Sequence, residues 1–583
     1  MNLDFHFVTV AICLVFLLLS LLFEWFKTPI SFLIVVSVIC LTGVMTPQDA
    51  LHQIANEQIA VVLMLMIVGN ILRRSILVEN LFKRVFKDGL NESQFLSRQY
   101  WLVGVLSAFF NNTPLVAILM PQISDWSRRN HVSPSRLLIP LSFASIIGGG
   151  ITLIGTSTNL IVDKLYRDSG GEGFALFDFA LYGIPLFLIG YIYTLIARKV
   201  LRTRVRLTQN FKSRDYLVET KVKDNAPIIG MTVEQAGLRN LKNLFLVEII
   251  REGEGIRPVK PVELVKEGDK MILAGDTSKI LPFLDKHPSF ELNNTSNEIR
   301  NRQEVLETVV PYNSSLIGKK INETGFRAKY DAAIIGVRRN GERLYGKIGD
   351  LEVQKGDMFL CLTGSEFEKK VDRANELYVI SNVHSVKNID VRTSLMVLGA
   401  MFIAMVLAGL KVTDLFSSML IMLTVIAISG KVQFAELRKS FNYNFLLIGG
   451  GALVFGKAMV ITGVAENLAT KVLNVVSDFG DVPTLIGVFV VTNLLASLMT
   501  NIGAVVIVFP IASLIAQKMG VDLFTMSMMV AFGGSKILLT AIGYQTNLMV
   551  QGPGGYKAID YLKYGGGLLI LIVLTFTAIL SAF

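Results

Sequence analysis

The chain has 583 residues, 52% of them hydrophobic and only 17% charged, where soluble domains carry about 25% charge. Its mean hydropathy is +0.53, and many apolar runs approach the roughly 20 helical residues that cross a hydrocarbon core. Three cysteines (Cys13, Cys40, Cys361) and five scattered histidines give no disulfide framework or zinc spacing. A net charge of +10 reads as basic cytoplasmic loops of a membrane protein rather than as a nucleic-acid surface.

The first apolar run, Phe7 to Phe23, follows Asp4 and has neither a basic leader nor a small-residue cleavage site, so it reads as a membrane helix. Further crossings are expected near 30–46, 56–77, 137–165 and 175–197. Between the third and fourth, a re-entrant hairpin near 98–125 is interrupted by Asn111-Asn112-Thr113-Pro114. Arg73, Arg74, Lys83, Arg84 and Lys87 precede the hairpin, and Arg128, Arg129 and Arg136 follow it. Arg198, Lys199, Arg202, Arg204 and Arg206 follow the fifth crossing, whereas Thr46 to Glu57 holds no Lys or Arg. The bias places the N-terminus outside and these loops inside.

Residues 1–200 are expected to form one membrane repeat and 392–583 a second. At an offset of 387, Gly43 meets Gly430, Gly69 meets Gly456, and Glu79-Asn80-Leu81 meets Glu466-Asn467-Leu468. At 389, Asn112 meets Asn501 and Pro121 meets Pro510. At 388, Gly155 meets Gly543, and Thr158-Asn159-Leu160 meets Thr546-Asn547-Leu548. Five crossings plus a hairpin would insert the second copy upside down, giving an α-helical polytopic membrane protein of inverted five-helix-plus-hairpin repeats.

The polar segment between the repeats is itself doubled, over 207–290 and 300–380. At an offset of 88, Gly230 meets Gly318, Gly237 meets Gly325, and Gly268-Asp269 meets Gly356-Asp357. Each copy is expected to hold a glycine-punctuated helix followed by apolar strands, Leu244 to Ile250 and Ala333 to Val337. This resembles the α+β TrkA-C (RCK-C) module of potassium-conductance systems. The resemblance implies a cytoplasmic pair that senses a nucleotide-type effector or serves assembly. No GxGxxG follows a strand, so the accompanying nucleotide-binding half is absent.

Four polar interruptions mark the chemistry: Ser107 to Pro114, Gly148 to Asn159, Ala496 to Gly503 and Gly533 to Asn547. Unwound backbone at membrane depth is tolerated where it lines a cavity. There, carbonyls can hold sodium and helix N-termini can face an anion. The competing reading, polar glue between helices, is weakened because the clusters recur at matched positions.

With Gly155-Thr156-Ser157-Thr158-Asn159-Leu160, Gly543-Tyr544-Gln545-Thr546-Asn547-Leu548 and Gly552-Pro553-Gly554-Gly555-Tyr556, the chain resembles the divalent anion:sodium symporter family, in its sulfate-permease branch. The resemblance implies a homodimeric elevator carrier in the cell membrane, contacting lipid and using no cofactor beyond the coupling ion. Its Ser-Asn-Thr tips map onto Asn111, Asn112 and Thr113, with Ser107 beside them, and onto Thr500, Asn501 and Ile502. Ser107, Asn112, Gly155, Asn501 and Gly543 are the sodium candidates. The branch implies sulfate; a dicarboxylate or another oxyanion is the alternative, although dicarboxylate relatives carry Pro-Pro where this chain has Ser157-Thr158.

Two departures stand out: Ile502 at the second tip, and Lys536 at the start of the second broken segment. A buried lysine costs about 2.5–3.5 kcal/mol on insertion scales. It either reaches an interface or local partner, replaces the second sodium, or binds the anion. Lys457 is a weaker case of the same kind. An effector-gated channel or an anion sensor remain rivals, though no potassium-type filter sequence is present. No nucleophile–base constellation points to an enzyme.

Overall fold

Apolar runs become helices here, and polar interruptions become their ends. The computed structural model describes residues 2–582 except 202–216, 276–282, 293–304, 380–389 and stretches of one to four residues elsewhere. Arg73, Arg74, Arg202, Arg204 and Arg206 fall outside the described residues, as do the side chains of Lys83 and Arg128.

The first half comprises α1 (Asn2–Leu22), α2 (Thr28–Leu41), α3 (Pro47–Ile54), α4 (Glu57–Leu72), α5 (Ile76–Val85), α6 (Glu92–Ser107), α7 (Asn112–Arg129), α8 (Leu138–Gly148), α9 (Ser157–Asp168) and α10 (Ala180–Ala197). After the insert come α11 (Val391–Gly409), α12 (Leu415–Ile428), α13 (Tyr443–Ile461), α14 (Val464–Val476), α15 (Asp481–Leu498), α16 (Asn501–Met519), α17 (Leu523–Ser535), α18 (Gln545–Gly554) and α19 (Ala558–Ala582). Among the described residues, eight helices are long and apolar enough to cross a membrane. The chain is a polytopic membrane protein.

Each half holds a helical hairpin, α6–α7 and α15–α16, and a pair of half-helices, α8/α9 and α17/α18. The expected crossing at 137–165 is thus two pieces separated by 149–156. Glycine permits the break: a Cβ on Gly155 would lie 2.4 Å from Gly149 O. Within each half a hairpin arm packs on the first half-helix, α6 on α8 and α15 on α17. Between halves, α7 and α8 meet α18, while α16 and α17 meet α9. The short helices α3, α5 and α14 were not expected; each joins an apolar stripe to charged residues, the pattern of a helix with one wetted face.

The insert forms two five-stranded antiparallel sheets. The first holds β1 (Leu217–Val222), β2 (Leu244–Arg251), β3 (Glu254–Ile256), β4 (Lys270–Gly275) and β5 (Phe290–Leu292) in the order β3-β2-β4-β1-β5. The second holds β6 (Val305–Val309), β7 (Ala332–Arg339), β8 (Glu342–Arg343), β9 (Met358–Thr363) and β10 (Tyr378–Val379) in the order β10-β6-β9-β7-β8. Read from its other edge, this is the same topology. Both sheets bulge at one place, between Leu246 and Glu248 and between Ile334 and Gly336. Val247, Ile272, Ala333, Ile335, Leu360 and Leu362 form a small apolar core shared by the two sheets.

The expected glycine-punctuated helix is mostly turn. Gly230, Gly237, Gly318 and Gly325 take φ of +83°, +72°, +78° and +60°, a left-handed geometry that ends a helix. Only Phe326–Tyr330 makes a full turn of α-helix among the described residues here.

A buried aspartate anchors each sheet. Arg251 Nε reaches Asp269 Oδ1 at 2.9 Å and Arg339 Nε reaches Asp357 Oδ1 at 2.7 Å, and both pairs are bidentate through Nη2. Removing one partner of a buried pair costs about 3–5 kcal/mol because the other charge stays uncompensated. Arg339→Met is therefore expected to destabilise the second sheet by about that amount. Thermal unfolding of the full chain checks this, and an unchanged transition would contradict it.

Candidate functional site

The two polar tips do not face their own half alone. At the first, Asn112 Nδ2 donates to Tyr544 Oη at 2.7 Å and Thr113 Oγ1 to Gln545 Oε1 at 2.8 Å. Both partners stand at the start of α18. At the second, Asn501 Nδ2 donates to Thr158 Oγ1 at 3.0 Å, at the start of α9. Each hairpin tip thus meets the broken helix of the opposite half. The Tyr544 hydroxyl also faces the Thr156 side chain, which brings the two meetings together around the starts of α9 and α18.

Four helices begin in that network: α7 at Asn112, α9 at Ser157, α16 at Asn501 and α18 at Gln545. Asn111 caps α7 by accepting from Thr113 N at 3.1 Å, and Thr500 caps α16 by accepting from Gly503 N at 3.2 Å. The caps of α9 and α18, Thr156 and Tyr544, make no side-chain capping bond. In α9 Asn159 N bonds back to Thr156 O at 3.2 Å; the amides ahead of it, like those that lead α18, have no intrahelical acceptor, so both half-helices present bare donors and the positive ends of their dipoles.

Within each half the breaks are tied by matching bonds. Asn159 Nδ2 donates to Thr152 O at 3.0 Å, and Asn547 Nδ2 to Thr540 O at 3.0 Å. Thr152 Oγ1 hydrogen-bonds Ala108 O, and Thr540 Oγ1 donates to Ser497 O at 2.7 Å. Ser142 Oγ, on α8, lies 2.7 Å from both Thr546 Oγ1 and Asn547 Oδ1. These bonds hold unwound segments in one shape.

The site has a buried floor and a more open rim. Ser107, Asn112, Gly155, Thr156, Thr158, Asn159, Gly543, Thr546 and Asn547 are buried, whereas Asn111, Thr113, Ser157, Thr500, Asn501 and Gln545 are half-buried. Ser107 Oγ hydrogen-bonds Asn112 Oδ1 and lies 2.8 Å from Ser145 O. A Cβ on Gly149 would sit 2.7 Å from Asn112 Oδ1 and 3.2 Å from Gly155 O. Hydroxyl, amide and carbonyl oxygens therefore converge in the first half, a donor set that suits a hard cation.

Lys536 is fully buried just past the end of α17. Its Nζ donates to Ile146 O at 2.9 Å, in the last turn of α8, and lies 5.3 Å from the Phe532 ring centroid. It has no ion-pair partner among the described residues. Lys457 is half-buried on α13 and takes no part in this network. Ile502 is buried, and its N–H is bonded to Asn501 Oδ1 at 3.0 Å.

Lys457 apart, the candidates named from sequence fall within this region. Ser142, Ser145, Thr152, Asn493 and Thr540 were not anticipated. For Thr152 and Thr540 a signal existed, since they are related by the same offset of 388 as the Asn159 and Asn547 that bond them.

Comparison with known proteins adds the family. The family model described as "Citrate transporter" (CitMHS) matches residues 18–476 and 411–583. A Chlamydomonas reinhardtii protein named as a candidate sulfur deprivation response regulator is 32% identical, covering 91% of this chain and 93% of its own. An uncharacterized transporter of Synechocystis is 27% identical over 96% and 94%. Sodium/sulfate cotransporter 1 of Chlamydomonas reinhardtii is 21% identical over 81% and 77%. Eight helices long and apolar enough to cross a membrane, among the described residues, accord with these matches, and the chain belongs to the CitMHS citrate transporter family of membrane carriers.

Proposed function

We propose that this protein carries sulfate across the membrane with sodium, the anion binding between the two hairpin tips. The observation that carries the reading is the convergence of four helix N-termini on one network. Each end is equivalent to roughly half a positive charge. Four of them amount to about two, which matches a dianion without a stoichiometric countercharge. The half-buried rim of Thr113, Ser157, Asn501 and Gln545 supplies hydroxyl and amide donors. The uncapped amides of α9 and α18 supply more. Relatives named as sodium/sulfate cotransporters support both ions.

Ser107, Asn112 and Gly155 are the sodium ligands in this reading, with the Asn501 and Gly543 pair its second-half counterpart. Movement follows the elevator plan: hairpins and half-helices travel together against the remaining helices in a homodimer, and the two halves are inverted repeats. A tricarboxylate or dicarboxylate is the competing cargo, favoured by the family's description. The hydroxyl pair Ser157-Thr158 at the α9 terminus favours a compact oxyanion.

The insert, which we read as a cytoplasmic TrkA-C pair, has a direct route to the site. The turn carrying Gly356 packs on α18, where a Cβ on Gly356 would lie 3.2 Å from Leu548 Cδ1 and one on Gly552 would lie 3.0 Å from Gly356 O. Val309 and Met358 of the second sheet join the membrane core. An effector that moved this sheet would move the half-helix bearing Gln545.

In proteoliposomes, radiolabelled sulfate uptake should saturate and rise with an inward sodium gradient. Asn112→Ala leaves the Tyr544 hydroxyl without its donor, at a cost of about 1–3 kcal/mol, so kcat/KM should fall roughly 5- to 150-fold. Uptake of citrate or succinate in preference to sulfate would sink the substrate assignment. Gly356→Ala strains a residue at φ +80° and presses on Leu548. Turnover should change while the KM for sulfate holds; a variant identical to wild type would refute the coupling.

A further inference from the structure

The two halves share a framework, yet their cation-facing positions differ in one consistent direction. In the first half the lining is rich in acceptors: Ser107 Oγ, Asn112 Oδ1, Ser145 O and Gly155 O. At the offset of 389 Ser107 becomes Ala496, and the hydroxyl is gone. At the same offset Gly104 becomes Asn493, and at 388 Gly148 becomes Lys536. Two glycines that let α6 and α8 touch are thus replaced by two donor side chains. A Cβ on Gly148 would lie 2.3 Å from Gly104 O, so no side chain fits in the first half.

Those donors take the carbonyls that a cation would need. Asn493 Nδ2 bonds Gly533 O at 3.0 Å and Lys536 O at 2.8 Å; Gly533 is the counterpart of Ser145. Asn501 Oδ1, the counterpart of Asn112 Oδ1, accepts from Ile502 N. Asn493 Oδ1 and Ser497 Oγ are left as buried oxygens without a partner, two against the four acceptors that converge in the first half. Lys536 meanwhile sends its nitrogen across to Ile146 O. That carbonyl lies at the C-terminal, electronegative end of α8, where a positive charge is favoured. The space behind it is kept by Gly150, whose Cβ would lie 2.0 Å from Nζ.

We infer that this carrier has a single sodium cradle, in the first half, and that in the second half Asn493 and Lys536 supply from the protein what a second ion would supply. The inference rests on the sodium-coupled reading above and narrows it to one ion per cycle. Lys536 travels out and back with the protein and adds nothing to the net charge moved. One sodium with one sulfate then carries a net negative charge inward, so an inside-negative potential opposes uptake. The lysine ties the two halves together and does not itself serve as the anion's ligand.

Sodium-22 binding to the purified full-length protein in lipid nanodiscs, with saturating sulfate, counts the ions. We expect one per chain, lost in Ser107→Ala. We expect two in the triple variant Asn493→Gly, Ala496→Ser, Lys536→Gly, which gives the second half the residues of the first at these three positions. A wild-type count of two or three leaves the sodium reading standing and overturns this inference; a count of zero overturns the sodium reading itself. Should the triple variant not fold, potential decides. With a potassium–valinomycin clamp, sulfate uptake should slow as the lumen is made negative, and uptake that is indifferent or faster overturns the inference.

Discussion

A helix that ends inside a membrane leaves several N–H or C=O groups without partners, and hydrocarbon offers none. The architecture here can be derived from how that debt is met. At the ends of α8 and α17, carbonyls are taken up by Ser107, Asn493 and Lys536. At the starts of α9 and α18, no side chain caps the amides. Satisfying one set of ends and leaving the other bare turns a structural cost into a binding surface. At the breaks, glycines stand where backbones must touch, such as Gly149 against Gly155.

Crossing the tips over to the opposite half has a mechanical result. Asn112 and Thr113 hold α18, while Asn501 holds α9. Neither hairpin can shift alone without breaking bonds to the other half, so hairpins and half-helices form one cooperative body. A body tied in this way is what the proposed elevator movement requires. The second sheet of the insert rests on the same body through Gly356 and Met358. In the proposed reading, the insert and the anion site meet on one element, α18.

Much of this was legible in the sequence because insertion into a membrane punishes polar residues. Asn112 and Asn501, or Gly155 and Gly543, stand out against apolar neighbours and recur at fixed offsets. The doubled insert was legible for a related reason: left-handed glycines and the Gly-Asp turns recur 88 residues apart. Single hydroxyls in helices were not legible. Ser142 bonds Thr546 and Asn547, yet a serine in a membrane helix usually bonds its own backbone. Asn493 stayed hidden because its counterpart is Gly104, so the repeat pointed to no polar residue there. The contact between Gly356 and Leu548 joins segments far apart in the chain and leaves no periodic trace.

The central claim is that the anion sits where four helix ends meet. A structure of the protein determined in sodium sulfate tests it most directly. The account predicts tetrahedral density between the tips, within hydrogen-bonding reach of Thr113, Ser157, Asn501 or Gln545 and of the leading amides of α9 and α18. Density for the anion against Lys536 alone, or only within the insert, would contradict it.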